Sequence, residues 1–185
     1  MKKIISAMLC ILLSIALVAC GSTSESKKEG SDKKSQPKSD EKEWDAKEYK
    51  GLAFEIPSDS EYAETDSSAT ITFEPKKKFA VIIPTDTSEL DKNLSDSWND
   101  LSIASILEGF EEIQNRKDSD ITISEIPAKS VTAMVKLSGS WFSYSIVAVV
   151  RDDYQYQYSI CYATSEDAGT DNSDYESFLK SIKFK

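Results

Sequence analysis

The fold is decided by residues 141–163, WFSYSIVAVVRDDYQYQYSICYA. The first half of this stretch is rich in β-branched and aromatic residues, and the second half alternates tyrosine with smaller side chains. Both patterns predict strands, at 141–151 and 154–163. Asp152 and Asp153 lie between them and predict a tight two-residue turn. The stretch therefore predicts an antiparallel hairpin.

The predicted turn also sets the pairing of the two strands. Counting outward from it places Val149 opposite Tyr156 and Val147 opposite Tyr158.

Alternation along the second strand places four tyrosines on one face of the hairpin. Tyrosine has an apolar body and a polar tip, so it is common both at binding surfaces and in cores that a helix covers. Two interpretations stay open, a core that helices cover and a partner or ligand surface. The four residues are Tyr154, Tyr156, Tyr158 and Tyr162.

Further strands are predicted on the amino-terminal side of this hairpin. Residues 52–56 alternate and stop at Pro57, while residues 69–73 and 79–83 predict a pair of strands. The loop between that pair holds Lys76, Lys77 and Lys78. It is interpreted as a solvated hairpin loop, with an anion-binding patch as the alternative.

The middle of the chain predicts helix. Asp86 and Glu89 have the spacing of a helix start. Two apolar faces follow, about 150° apart on a helix, so a straight helix would have to bury both sides. We therefore predict two helical segments or a bend near Ser102, then a loop at residues 115–120. One face holds Leu90, Leu94, Trp98 and Leu101, and the other holds Ile103, Ile106, Leu107, Phe110 and Ile113.

Strands return at residues 121–126 and 129–137, and the chain ends in a helix. Ser173 and Glu176 form a capping box. Apolar residues at the spacing i, i+3, i+4 and i+7 follow, which predicts one buried helical face. These are Tyr175, Phe178, Leu179 and Ile182.

The first twenty residues predict a targeting segment. Lys2 and Lys3 precede an apolar run at 4–18, which is shorter than the about 20 residues of a bilayer crossing. The run ends in Leu-Val-Ala-Cys, which resembles a bacterial lipobox. This resemblance implies cleavage between Ala19 and Cys20 and a diacylglyceryl group on Cys20 that anchors the protein in the membrane. An ordinary signal peptide is the alternative.

Residues 20–50 are rich in Ser, Lys, Glu and Asp and predict a disordered tether between the lipidated cysteine and a single globular domain at 51–185. The domain carries 12 Lys+Arg and 24 Asp+Glu. Such an acidic domain disfavours nucleic acid and adsorption to an anionic membrane.

Composition also argues against enzymatic chemistry. The chain has no histidine, which excludes Ser-His-Asp and Cys-His sites and His-ligated zinc. Ser177 and Lys180 match an S-x-x-K spacing but lack its companion motifs. Cys161 lies in a predicted central strand and is interpreted as a buried apolar residue, with a reactive thiol as the alternative. We expect that the protein is not an enzyme and that it has no catalytic residues, no metal site and no cofactor.

The order of elements resembles the PsbP/Mog1-like fold of PsbP-like and DcrB-like bacterial lipoproteins. The resemblance rests on Gly51-Leu-Ala-Phe-Glu-Ile-Pro57, the long helical middle, the tyrosine-rich hairpin and Phe178-Leu-Lys-Ser-Ile-Lys-Phe184. It implies an α+β domain with a central antiparallel sheet of about six or seven strands and helices on both faces.

Two classes of function remain. One is a lipid-anchored binding or assembly protein for a membrane complex, with an unidentified membrane or cell-envelope protein as partner. The other is a small-ligand or solute receptor that works with a transporter. The tether and the Ala19-Cys20-Gly21 junction look like those of Gram-positive lipoproteins, which implies the extracytoplasmic face of the cell membrane.

Overall fold

A computed structural model describes residues 42–185, which form ten strands and two α-helices. A short 3-10 turn at Lys92–Leu94 precedes the first helix. The strands are β1 (Trp44–Tyr49), β2 (Leu52–Pro57), β3 (Glu61–Glu64), β4 (Ala69–Glu74), β5 (Lys78–Asp86), β6 (Glu112–Ile123), β7 (Ile126–Leu137), β8 (Ser140–Val150), β9 (Tyr156–Ser165) and β10 (Lys183–Phe184). The helices are α1 (Ser95–Leu107) and α2 (Ser173–Ser181).

The strands form two antiparallel sheets. Seven strands make the large sheet in the order β3-β4-β5-β9-β8-β7-β6, and β1-β2-β10 make a small one. Helix α1 lies on one face of the large sheet, while α2 and the small sheet lie on the other. The predicted α+β class and central antiparallel sheet are confirmed, and the second sheet is an addition to them.

The folded part begins before the predicted end of the tether. Trp44–Tyr49, assigned to the tether by composition, form β1 and pair with β2 in a register that sets Trp44 opposite Pro57. Tyr49 is buried, and its hydroxyl donates to the carbonyl oxygen of Thr65 at 3.0 Å. The polar composition of residues 44–49 gave no strand prediction. An edge strand needs few apolar residues when the neighbouring strand supplies most of the core side chains.

Two-residue turns with positive φ at both positions join β1 to β2 and β7 to β8. Gly51 has φ +82° and Gly139 has φ +80°, a region that only glycine adopts at little cost. The turn between β6 and β7 has the same form at Ser124 and Glu125, three residues before the two-residue gap at 127–128 that the sequence predicts.

The large sheet has two unlike faces, because alternate residues of β9 point to opposite sides. The side that carries Tyr158, Ile160 and Tyr162 is called the aromatic face. It packs against β2 and α2, and the ring of Tyr175 stacks on that of Tyr162 with centroids 4.0 Å apart. The side that carries Gln157, Ser159 and Cys161 is called the α1 face, and α1 crosses β7, β8 and β9 on it.

Strand β6 corrects the predicted loop at residues 115–120. Residues Glu112–Asp120 are exposed throughout and form an outer edge strand of the large sheet. The register shifts between Gln114 and Lys117, with Asn115 at φ +55°. Because none of these nine residues is buried, the sequence carries no alternating apolar pattern and gives no strand signal. A charged and bulged edge of this kind resists pairing with another chain.

Candidate interaction surface

Helix α1 begins later than the capping spacing predicts. The carboxylate of Asp86 accepts from the backbone N–H and the hydroxyl of Ser88, so it closes a local turn instead of capping a helix. The 3-10 turn begins at Asp91, whose side chain accepts from the N–H of Asn93 at 2.9 Å. Regular α-helix starts at Ser95.

The predicted bend near Ser102 is wrong. Ser102 lies in the middle of one continuous helix, which runs from Ser95 to Leu107. The expectation assumed that both apolar faces must be buried. The structure buries Ile103, Ile106 and Leu107 of the second face, and of the first face it buries Trp98 alone.

The three leucines of the first apolar face are left exposed. Leu90, Leu94 and Leu101 are 47%, 56% and 62% exposed, and together they are called the leucine stripe. Leu94 and Leu101 are seven residues apart, so they lie on one side of the helix about 10 Å from each other along its axis. Among residues 42–185, Ile113 is the one further large hydrophobic residue with such exposure, and it lies on the same side of the large sheet. The stripe is a surface that the sequence predicts as core.

Polar side chains line the contact between α1 and the sheet. The hydroxyls of Ser102 and Ser159 hydrogen-bond to each other, and the amide of Gln157 donates to the carbonyl oxygen of Tyr158 at 2.9 Å. Asn99 is buried, but its Oδ1 has no hydrogen-bond partner within the described part of the chain. This layer therefore gains less from burial than a purely apolar one would.

The tyrosine series does not form one exposed surface. Tyr158 and Tyr162 are fully buried in the core of the aromatic face, and Tyr156 is partly buried against it. The hydroxyl of Tyr158 donates to the carbonyl oxygen of Lys50 at 2.6 Å, and that of Tyr162 donates to Oδ1 of Asn172 at 3.0 Å. Tyr156, Tyr158 and Tyr162 therefore pack in a core that a helix covers, which is the first of the two interpretations.

Tyr154 is separated from the other three. It lies in the turn with φ +58°, and its ring meets that of Trp98 edge-on at 6.2 Å on the α1 face. The hydroxyl of Thr87 donates to the carbonyl oxygen of Tyr154 at 2.7 Å, which holds the turn against the start of α1.

This turn is longer than the two aspartates predict. The N–H of Arg151 donates to the carbonyl oxygen of Tyr156, so four residues lie between the ends of the ladder. Val149 consequently pairs with Tyr158, where the predicted partner was Tyr156. The predicted pairing of Val147 with Tyr158 is wrong by the same two residues, and an even shift keeps every side chain on its predicted face.

Cys161 is buried on the α1 face. Burial raises the pKa of its thiol to about 11, so the thiolate that a reactive cysteine needs is disfavoured at neutral pH. Its interpretation as a small apolar core residue is supported.

The three lysines of the β4–β5 loop do not gather as a cationic patch. Lys77 pairs with Glu74 at 2.9 Å, and Lys78 donates to the carbonyl oxygen of Asp171 at 2.7 Å. These contacts favour the hairpin-loop interpretation.

An open groove of about 590 Å³ lies beside the β1–β2 turn. Burial and the nearby carboxylates of Glu64 and Asp66 raise the pKa of Tyr49 in its wall to about 12. The groove is more polar than sites that bind small molecules usually are. It is lined by Glu48, Tyr49, Lys50, Glu64, Thr65 and Asp66.

The predicted signal peptide and the cleavage site at Ala19 and Cys20 lie outside the described residues, as does the tether up to residue 41. Within residues 42–185, none of the helices has both the length and the apolar character to cross a membrane. The same residues bring no group of three or more Cys, Asp or Glu side chains into a metal-binding arrangement.

Comparison with known proteins gives the fold. No protein-family model and no curated protein matches the sequence. The solution structure of CyanoP, the cyanobacterial PsbP of Synechocystis sp. PCC 6803, matches with a TM-score of 0.50 at 10% identity, over 77% of this chain and 92% of that one. The Ran-binding protein Mog1p of Saccharomyces cerevisiae matches with a TM-score of 0.50 at 7% identity, over 78% and 96%.

A longer protein from Bacteroides thetaiotaomicron matches with a TM-score of 0.49 at 10% identity, over 73% of this chain and 45% of that one. The chain has the PsbP/Mog1-like fold that its elements predict.

Proposed function

We propose that this protein is a lipid-anchored, extracytoplasmic binding or assembly protein of a membrane complex, and that it is not an enzyme. The outer side of α1 is its protein-binding surface. The leucine stripe is the observation that carries this proposal, because large apolar side chains exposed on a helix and at its start are a common docking site for another protein.

The anchor rests on the lipobox-like sequence at Cys20. Two acyl chains on one residue hold a protein at a bilayer stably, whereas one chain holds it only reversibly. The predicted disordered tether of 22 residues between Cys20 and Glu43 would span about 26 Å. Such a reach would keep the domain close to the extracytoplasmic parts of membrane proteins.

A role as a solute receptor has less support. The groove beside Tyr49 is open and is lined largely by carboxylates, whereas small-ligand sites are mostly apolar and enclosed.

Site-specific photocrosslinking in intact cells tests the proposal. Ala104 is exposed on the outer side of α1, and Ala63 is exposed on β3 at the opposite edge of the large sheet. With p-benzoylphenylalanine in place of Ala104 we expect one membrane protein to be captured. The same probe in place of Ala63 serves as the matched control.

The capture should be lost when Leu94 and Leu101 are both replaced by serine. Equal capture from both probe positions would contradict the proposed surface, and a transporter permease as the captured protein would favour the solute receptor. Loss of palmitate labelling in Cys20→Ala tests the anchor separately.

A further inference from the structure

The side chains of the leucine stripe and the charges near it indicate what kind of partner would bind there. Leu101 on α1 and Leu94 at its N-cap form an exposed ridge, and Leu90 is exposed in the segment before them. Ser97 and Ala104, three residues after Leu94 and Leu101, are small and exposed. Small residues one helical turn from a leucine leave room for the side chains of a second helix.

Exposed carboxylates lie close to these leucines in the sequence. Residues 86–112 contain eight Asp or Glu and one basic residue, Lys92. The ammonium of Lys92 lies 5.4 Å from the ring centroid of Tyr154, in the turn after β8. The exposed carboxylates, called the acidic border, are Glu89, Asp91, Asp100 and Glu108.

Three kinds of partner could cover this surface: a second copy of this chain, an anionic bilayer, or a helix of another protein. The charge that each would bring to the exposed carboxylates distinguishes them. A second copy of this chain would bring one acidic border against another, and an anionic bilayer would present phosphates to the same carboxylates. Like charges brought together at an interface cost several kcal/mol. An apolar helix flanked by lysine or arginine meets the ridge with leucine and the border with opposite charge.

We propose that the leucine stripe binds a basic amphipathic helix of another protein, with its apolar side on Leu94 and Leu101 and its cations against Asp91, Asp100 and Glu108. This inference rests on the proposed function and adds the charge and secondary structure of the partner. Carboxylates at the border steer and orient the helix, and the leucines supply most of the affinity.

Binding of designed helical peptides to the full-length protein in detergent tests this inference. The first peptide carries leucines at i, i+4, i+7 and i+11 with lysines at the flanking positions. The second keeps the leucines and replaces each lysine with glutamate, and the third keeps the composition of the first in scrambled order. Fluorescence anisotropy gives each Kd at 50 and 200 mM salt.

We expect the lysine peptide to bind at least tenfold more tightly than either of the others. Leu94→Ser with Leu101→Ser should weaken it at least tenfold, while Asp91→Asn with Asp100→Asn should weaken it severalfold and reduce its dependence on salt. Glu61→Gln with Glu64→Gln, on β3, is the matched control and should leave the Kd unchanged.

Equal affinity for the lysine and glutamate peptides would overturn the charge assignment, and no binding of any peptide would overturn the helical partner. Either result is compatible with capture from Ala104 in cells, so it leaves the proposed function standing. Self-association in sedimentation that Leu101→Ser abolishes, or stripe-dependent binding to vesicles of phosphatidylglycerol, would show that another occupant takes the surface. Conversely, tight binding of the lysine peptide without capture in cells would count against the proposed function alone.

Discussion

The two faces of the large sheet are built on different principles. The aromatic face is closed by one apolar cluster, in which Tyr158 and Tyr162 pack with side chains of β2 and with Tyr175 and Phe178 of α2. The α1 face is covered by a single helix, with Ser102, Ser159 and Asn99 inside and leucines outside. The aromatic face buries its large apolar side chains, whereas the helix on the α1 face leaves leucines exposed to solvent. We therefore expect the aromatic face to contribute most of the stability, and the α1 side carries the proposed binding surface.

Truncating the core of the aromatic face should have the largest effect. Tyr158 is 0% exposed, so Tyr158→Ala leaves a cavity and should lower the free energy of unfolding by about 3–5 kcal/mol. Tyr158→Phe removes the hydrogen bond to Lys50 and should cost about 1 kcal/mol. Urea denaturation measures both. A Tyr158→Ala protein as stable as the wild type would show that this face is not the stabilising one.

The turn that closes the aromatic face should be the next most sensitive position. In Gly51→Ala the new Cβ would clash with Nη1 of Arg151, and φ is +82°. Gly139→Ala has the same backbone strain with no atom within 4 Å of the new Cβ. We expect thermal unfolding to show a loss in the free energy of unfolding of about 1 kcal/mol for Gly139→Ala and about 2 kcal/mol for Gly51→Ala. Equal losses would mean that Arg151 moves aside freely.

On the α1 face, replacing the buried polar residue Asn99 should raise the stability of the protein. Asn99→Leu removes a buried carbonyl oxygen that lacks a partner among the described residues, and it keeps a similar volume. We expect the protein to become more stable by about 1 kcal/mol. Calorimetry compares it with Ile103→Ala, an apolar truncation on the same helix that should destabilise. A loss of stability in Asn99→Leu would indicate that its amide makes an essential contact.

The smallest effect on stability should come from the leucine stripe. Leu101 is 62% exposed, so Leu101→Ser should change the free energy of unfolding by less than about 0.5 kcal/mol. Ile106→Ser, on the buried side of the same helix, should cost several times more. Matching losses in the two variants would mean that the stripe is covered in solution and that the two sides of α1 do not differ.

Most of the fold could be predicted from periodicity. The hairpin of β4 and β5, the strands β8 and β9, and the C-terminal helix α2 follow from alternation or helical spacing of apolar residues, and the structure confirms them. Strand β6 could not, because residues 112–120 are exposed on both sides and no alternation marks them. Strand β1 was hidden by composition, since it completes a sheet whose core side chains belong to β2.

The candidate surface could be predicted only in part. The sequence shows two apolar sides on the helical middle, but it does not say which of them meets the sheet. The rule that apolar sides are buried predicts two segments or a bend near Ser102, and the structure has one continuous helix with Leu101 and its N-cap residue Leu94 exposed. An excess of apolar residues over what one helix face can bury is the signal that points to a binding surface.

The sequence by itself determined which residues alternate and which recur at helical spacing, because these patterns depend only on backbone geometry. It also determined the acidic charge and the lipobox-like cysteine. The tertiary structure alone decided which side of α1 faces the sheet, and it set the turn after β8, where the carbonyl oxygens of Tyr154 and Gln155 bond to Thr87 from a distant part of the chain. Both outcomes depend on partners far away in sequence, and local patterns carry no information about which distant groups will meet.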